Sequence, residues 1–274
     1  MSVQIQLAIY LLLSFGKKVP QGTVEENMPT RAERERDKKA ALLAAAEQVF
    51  SHSGYAQATL NDVIRVADTG KGTVYRYFGS KDNLFYALVL QKHRKLVDEF
   101  WAIARDEKKT VARKLRDIAL AWIRFLADNL ILWQVVQFEM TGMNRGIICV
   151  PRDDGSLELR VKWGELPPPE RCEEIKRYHA MLLEEAEPMA SVYGEGLRQG
   201  IFRATADHRD IAEHWFFGIS MVVFMSPNPK YDFLGGTMTM EQLADNIAVH
   251  FLFGLVAPSK RQKIADELHR YIDF

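Results

Sequence analysis

The sequence predicts an all-α chain: an N-terminal three-helix domain built around a helix-turn-helix, followed by a larger helical domain with a β-hairpin inserted near residues 147–163. Three observations carry this reading. Apolar residues recur at helical spacing along most of the chain, and residues 59–84 (TLNDVIRVADTGKGTVYRYFGSKDNL) place two short amphipathic helices on either side of a tight turn. Residues 157–163 instead alternate Leu157, Leu159, Val161 and Trp163 with Glu158, Arg160 and Lys162 beyond an Asp-Gly turn, which is strand periodicity. With 274 residues, 47% of them apolar, the chain has enough material for one or two packed domains.

Taken in order, Thr30 and Glu33 form a capping box for a first helix, whose buried stripe is Leu42, Ala45, Ala46, Val49 and Phe50 and whose end falls near Gly54. Thr59 caps the next helix, with Asp62 as its reciprocal partner, and Leu60, Val63, Ile64 and Ala67 share one face. Asp68 occupies the turn, where its tolerance of the left-handed region is useful. In the following helix Val74 and Phe78 lie one turn apart and point inward. This leaves Lys71, Thr73, Tyr75, Arg76 and Tyr77 towards solvent, a composition suited to a phosphate-lined groove. Ser80 caps a long helix through Leu84, Leu88, Val97 and Trp101 to about Arg105. Residues 110–140 read as one or two helices, and Glu170–Arg198, Asp207–Met225 and Met240–Val256 as three more, with a short tail helix after Pro258. Pro167, Pro168 and Pro169 stop the hairpin before the Glu170 helix, although an irregular loop is the alternative reading of residues 147–163.

Formal net charge is zero, yet from Arg31 to Lys95 there are 12 Lys or Arg against 7 Asp or Glu, so the basic charge lies with the helix-turn-helix. Two cysteines, Cys149 and Cys172, form no disulfide framework, and a reducing cytoplasm is the expected compartment. Residues 5–15 (IQLAIYLLLSF) are apolar but too short for an ordinary membrane span, and Lys17 and Lys18 follow the run instead of preceding it, the reverse of a signal peptide. Three readings of this extension stay open: a start assigned upstream of Met28, a real extension, and a membrane contact. Stable membrane insertion is not expected.

At this point the motif resembles the DNA-binding domain of the TetR family of transcriptional regulators. The matching residues are Thr59, Asp62, Val63, Ala67, Lys71, Gly72, Thr73, Val74, Tyr75, Tyr77, Phe78, Ser80, Lys81 and Leu84, with departures at Asp68 and Gly70 in the turn. The resemblance is specific over about residues 31–95. It implies that the second helix of the motif enters the major groove, with Lys71, Gly72 and Thr73 at base edges and Thr59, Tyr75, Tyr77 and Lys81 at phosphates. It further implies residues 30–79 as DNA-binding domain, 80–274 as ligand-binding and dimerisation domain, and 1–29 as extension. The partners expected are a double-stranded palindromic operator, a second copy of the chain paired through the helices at 207–225 and 240–256, and an apolar or aromatic small-molecule effector that releases a repressor.

Candidate effector contacts are Trp101, Trp122, Phe125, Trp133, Phe138, Tyr178, Met181 and Trp215, each with ordinary core packing as the competing reading. No GxSxG, phosphate-binding glycine loop or HExxH occurs, so neither an enzyme nor a cofactor is expected. His208 and His214, or Cys149, Cys172 and His179, lack the compact spacing of a metal site. Glu184 and Glu185 read as a solvated helix face. A regulator without effector and a metal-responsive sensor are the alternatives.

Overall fold

The computed structural model describes residues 30–140, 147–152, 154–161, 164–203 and 239–269, together with 211, 215, 218–220 and 223. Two compact units divide the chain, Met1–Lys39 and Ala40–Phe274. Within the first, the predicted capping box is present: Thr30 N–H donates to Glu33 Oε2 at 2.7 Å and Glu33 N–H to Thr30 Oγ1 at 3.2 Å.

Helix α1 (Arg31–Gln57) buries Leu42, Leu43, Ala45, Ala46, Val49 and Phe50. Gly54 breaks it, with φ 73° and ψ 161°, a region that only glycine occupies without strain. The last residues then turn back so that Tyr55 lies against Phe50 and Phe85, with ring centroids 5.7 and 4.7 Å away. Helices α2 (Leu60–Val66) and α3 (Lys71–Phe78) form the helix-turn-helix, and α4 (Lys81–Ala104) leaves it as one uninterrupted rod of 24 residues, roughly 36 Å long.

Beyond α4, helix α5 (Val111–Asp128) packs against α4, against α7 (Pro169–Arg198) and against α8 (Met240–Leu255). A helix covered on so many sides must be apolar nearly all round, and α5 buries 13 residues, from Val111 to Ala127. Two of these are cationic and therefore need partners. Lys114 reaches Glu195 of α7 at 2.8 Å, and Arg116 reaches Asp245 of α8 at 2.6 Å. Asn129 ends the helix and donates its side-chain amide to Phe125 O at 2.8 Å, after which α6 (Leu130–Met140) departs at 93°. Among the described residues no single helix is long and apolar enough to cross a membrane. Residues 1–29, with their apolar run, lie outside the described residues, as does most of the expected helix at 207–225.

The expected hairpin is formed. Strands β1 (Ile147–Pro151) and β2 (Leu157–Val161) pair antiparallel, with Ile147 opposite Val161 and Cys149 opposite Leu159. Ile147, Leu159 and Ile175 of α7 make a small core of their own, with Cys172 and Val161 packed against it. Pro168 and Pro169 then start α7, where a missing N–H is harmless. After α8 come a 3-10 turn at Pro258–Lys260 and helix α9 (Arg261–His269).

Because Gly54 sits where a Cβ is strained although nothing crowds it, Gly54→Ala is expected to destabilise the protein by about 1–3 kcal/mol. Chemical denaturation of the pair of proteins checks this, and an unchanged midpoint would show that the kink relaxes freely.

Candidate nucleic-acid interface

The first short helix of the motif is held by its own sequence. Thr59 Oγ1 accepts from Asp62 N–H at 3.2 Å, and the Asp62 carboxylate accepts from both Thr59 N–H at 3.1 Å and the Thr59 hydroxyl at 2.6 Å. The Thr59 hydroxyl and Arg65, which donates to Asp62 at 3.0 Å, hold the Asp62 carboxyl below its ordinary range. Thr59 was expected at a phosphate. Its hydroxyl proton and its N–H are both committed to the capping box, so it positions α2. Asp68 takes φ 45° in the turn, the left-handed conformation its side chain tolerates.

Helix α3 has Gly70 as N-cap, in extended backbone and with no side-chain capping bond. Val74 is fully buried and Phe78 nearly so, which anchors the helix by one face as expected. Lys71, Gly72, Tyr75 and Arg76 are exposed, whereas Thr73 and Tyr77 are half-buried. The expectation that all five side chains face outward is thus corrected for two of them. The Tyr77 ring is covered by the Arg76 guanidinium at 4.9 Å, and Arg76 also donates to the Tyr77 hydroxyl at 3.3 Å. Tyr75 is 45% exposed, with the Lys71 ammonium 5.7 Å from its ring. Lys71, Tyr75 and Arg76 therefore present two cations and a phenol on one short exposed helix, and cations of this kind hold a phosphate backbone or donate to the guanine edge.

The junction of α3 with α4 is fastened by residues that periodicity does not single out. Asn83 donates its side-chain amide to Phe78 O at 3.0 Å, and Ser80 Oγ accepts from Asn83 N–H at 3.1 Å. Lys81 does not extend into solvent. Its ammonium donates to Tyr55 O at 3.0 Å and Ala58 O at 3.2 Å, and lies 4.5 Å from the centre of the Tyr55 ring. The Tyr55 hydroxyl donates to Asp82 Oδ1, so adjacent residues of α4 grip Tyr55 at the end of α1 by its carbonyl and its phenol, and Ala58 just beyond it by its carbonyl. Burial, reinforced by that bond to Asp82, pushes the Tyr55 phenol well above its ordinary range. Lys81, expected as a phosphate contact, is in this geometry a strut that satisfies carbonyls at the end of a helix. The phosphate expectation for it came from the family motif that Lys81 matches, and the motif is compatible with either role.

The candidate effector residues scatter. Trp122 is buried and stacks on Phe125 at 5.6 Å, Trp133 meets Phe125 edge-on at 4.5 Å, and Phe100 meets Trp122 at 6.3 Å. It is Phe100, not Trp101, that α4 contributes to this cluster, because one residue of rotation is 100° of helix. Trp101 is half-buried, with the Arg105 guanidinium 4.4 Å from its ring. Phe138 is 43% exposed, while Met181 and Trp215 belong to the main core. Tyr178, also buried, meets the Tyr86 ring at 5.7 Å and helps line a polar cleft with Tyr55, Asp82, Arg171 and Glu174. Among the described residues no group of three or more His, Cys, Asp or Glu side chains is placed to hold a metal ion. His208, His214 and the Cys149 side chain lie outside the described residues.

A capped helix-turn-helix that presents basic groups on its second helix and continues into a rigid rod defines a DNA-binding regulator. The comparisons agree. The family model described as bacterial regulatory proteins, tetR family, matches residues 42–88. The fatty acid metabolism regulator protein of Bacillus subtilis is 24% identical over 202 residues, which is 73% of this chain and 89% of that protein. The transcriptional regulator UidR of Escherichia coli K12 is 31% identical over 75 residues, 27% of this chain and 37% of that one. Among solved structures, a TetR-family regulator of Mesorhizobium loti superposes with a TM-score of 0.59 at 18% identity, covering 84% of this chain and all of its own. FadR of Bacillus subtilis, in complex with stearoyl-CoA, superposes with 0.57 at 20% identity, covering 78% and 98%. Residues 42–88 thus match the DNA-binding domain of the tetR family of bacterial regulatory proteins, and the likeness to TetR-family folds extends over most of the chain.

Two substitutions test the interface. Gly70 is in extended backbone with nothing within 4 Å of an added Cβ, so Gly70→Ser supplies the missing cap and is expected to raise stability by about 0.5 kcal/mol. A thermal melt checks this, a lower melting temperature refuting it. Lys81→Ala removes the donor from two carbonyls and is expected to cost about 1–3 kcal/mol of stability while leaving the salt slope of DNA binding unchanged. A slope reduced by about one unit would return Lys81 to the phosphates.

Proposed function

We propose that this regulator is a repressor that binds a palindromic operator as a homodimer and is released by an acyl thioester with a long apolar chain. The observation that carries the reading is the continuity of α4. Its first turn is tied to α3 through Asn83 and to α1 through Lys81, and its length runs against both α5 and α7. A ligand that displaces α5 or α7 therefore displaces the recognition helix as well, and release follows once the two recognition helices of a dimer no longer match the groove spacing. In this reading residues 30–79 read DNA, with Lys71, Gly72 and Thr73 at base edges and Tyr75, Arg76 and Tyr77 towards the backbone. Residues 80–274 hold the effector and the dimer contact.

The effector class rests on similarity. The fatty acid metabolism regulator of Bacillus subtilis aligns across most of its own length, well past the DNA motif, and the structurally similar FadR of Bacillus subtilis was solved in complex with stearoyl-CoA. The aromatic residues of α5 and α6 supply apolar surface of the right kind, although Trp122, Phe125 and Trp133 pack against one another. A regulator without effector is favoured by that close packing, and the same experiment decides between the two.

DNA enriched from a random duplex library by the purified protein is expected to contain an inverted repeat. Adding stearoyl-CoA to the complex with that duplex is expected to lower affinity at least tenfold, while free coenzyme A leaves it unchanged. A ligand can shift the equilibrium only by its differential affinity for the two conformers, so a complex indifferent to saturating stearoyl-CoA refutes the effector class. A selected motif without two-fold symmetry would refute the dimer.

A further inference from the structure

Helices α4 and α7 carry matching heptad stripes. On α4 the residues are Tyr86, Val89, His93, Leu96 and Phe100, and on α7 they are Tyr178, Met181, Glu185, Pro188 and Val192, all buried except the half-buried Tyr86. The spacing alternates three and four in both, and the contacts share one register: the Tyr86–Tyr178 ring pair and the His93–Glu185 pair are each 92 residues apart in sequence. Equal steps along both chains mean that the helices run parallel, in the side-by-side geometry that a 3.5-residue repeat produces.

One layer of this seam is polar. His93, 1% exposed, has Nδ1 2.9 Å from Glu185 Oε1 and Nε2 2.8 Å from Glu184 Oε2. Glu185 is as deeply buried as His93, which corrects its reading as part of a solvated face. Both ring nitrogens thus face carboxylate oxygens, which only accept. A neutral imidazole has a single N–H and can satisfy only one of them. The three side chains consequently fit together only with one proton more than a neutral histidine and two carboxylates hold between them. Pro188, one turn on, has no N–H to offer the Glu184 carbonyl, so the backbone ladder of α7 is interrupted at this same turn.

We propose that His93, clamped between Glu184 and Glu185, is a proton-dependent register pin: while the extra proton is bound, α7 is fixed against the helix that carries the recognition helix, and when it is lost the seam loosens and DNA affinity falls. A single polar layer in an apolar seam is a known device for setting helix register. The charged groups on the neighbouring elements are occupied elsewhere. Glu47 of α1 pairs with Lys92, while Lys114 and Arg116 of α5 pair with Glu195 and Asp245. Burial alone would lower the His93 pKa, but the hydrogen bonds and charges of Glu185 and Glu184 outweigh it and raise it, and burial pushes the Glu185 carboxyl up. Both shifts act in one direction. The contribution to stability is complete below the pKa of an unfolded histidine, about 6.5, and is lost as pH rises through the raised value in the folded protein.

The inference rests on the DNA-binding role, and its test separates the two. Melting temperature is measured against pH without DNA, and affinity for the library-selected duplex over the same range, for the wild type, Glu184→Gln and the double variant of His93→Gln with Glu185→Gln. In the wild type both are expected to fall above neutral pH, affinity by up to about tenfold per pH unit, the slope of one linked proton. Glu184→Gln, at a side chain 63% exposed and safe to alter, is expected to move both steps to lower pH because one of the two carboxylates that raise the His93 pKa is gone. His93→Gln, combined with Glu185→Gln so that no buried carboxyl titrates in its place, is expected to abolish them. A flat wild-type melting profile, or steps that Glu184→Gln leaves in place, overturns the pin. A step in melting with no step in affinity overturns the coupling to DNA. If no duplex is selected at all, the DNA-binding reading fails and the melting profile alone decides the clamp.

Discussion

The architecture depends on α4 being unable to bend. Twenty-four residues without proline or glycine, capped by Ser80 at the start, make a rod whose two ends cannot move independently. At the DNA end, three kinds of contact remove the remaining freedom: the Asn83 amide on the Phe78 carbonyl, the Lys81 ammonium on two carbonyls near the end of α1, and the Tyr55 phenol on Asp82. None of these groups needs to touch DNA to matter for binding it. They determine the angle at which α3 is held, and a recognition helix held loosely pays the entropy of ordering when it meets the groove.

The downstream helices show how a small helical domain copes with ionic groups in its interior. α5 has neighbours on several sides and yet carries Lys114 and Arg116, which reach Glu195 and Asp245 on two different helices, Arg116 also pairing with Asp117 beside it. Breaking one such pair strands a buried charge, whereas replacing both members by apolar residues of equal volume is often harmless. The pairs are therefore better understood as selecting which helices meet, and in what register, than as a source of net stability. The His93 layer between α4 and α7 follows the same logic with a titratable group at its centre.

Much of the local structure was legible because its causes are local. The Thr59–Asp62 capping box, the left-handed Asp68, the Ser80 cap and the inward pair Val74 and Phe78 each follow from neighbours within one or two turns. The hairpin followed from strict alternation about an Asp-Gly turn. What was misjudged required a partner distant in sequence. Glu185 looks like a surface carboxylate until His93 is placed opposite it, and the carbonyls that Lys81 holds come within its reach only once the end of α1 folds back beneath it. Trp101 and Phe100 are both plausible inward residues, and only the position of α5 chooses Phe100.

By itself, then, the sequence determined the helices, their caps, the turn and the exposed basic face of α3, since hydrogen bonding and hydrophobic periodicity within a segment need no knowledge of the rest. The tertiary structure decided which polar groups are buried, which aromatic residues face one another, and which side chains fasten the helices around the helix-turn-helix to one another. Those outcomes depend on the desolvation of a group and on the partner that compensates for it, and both exist only once helices far apart in the chain have packed together.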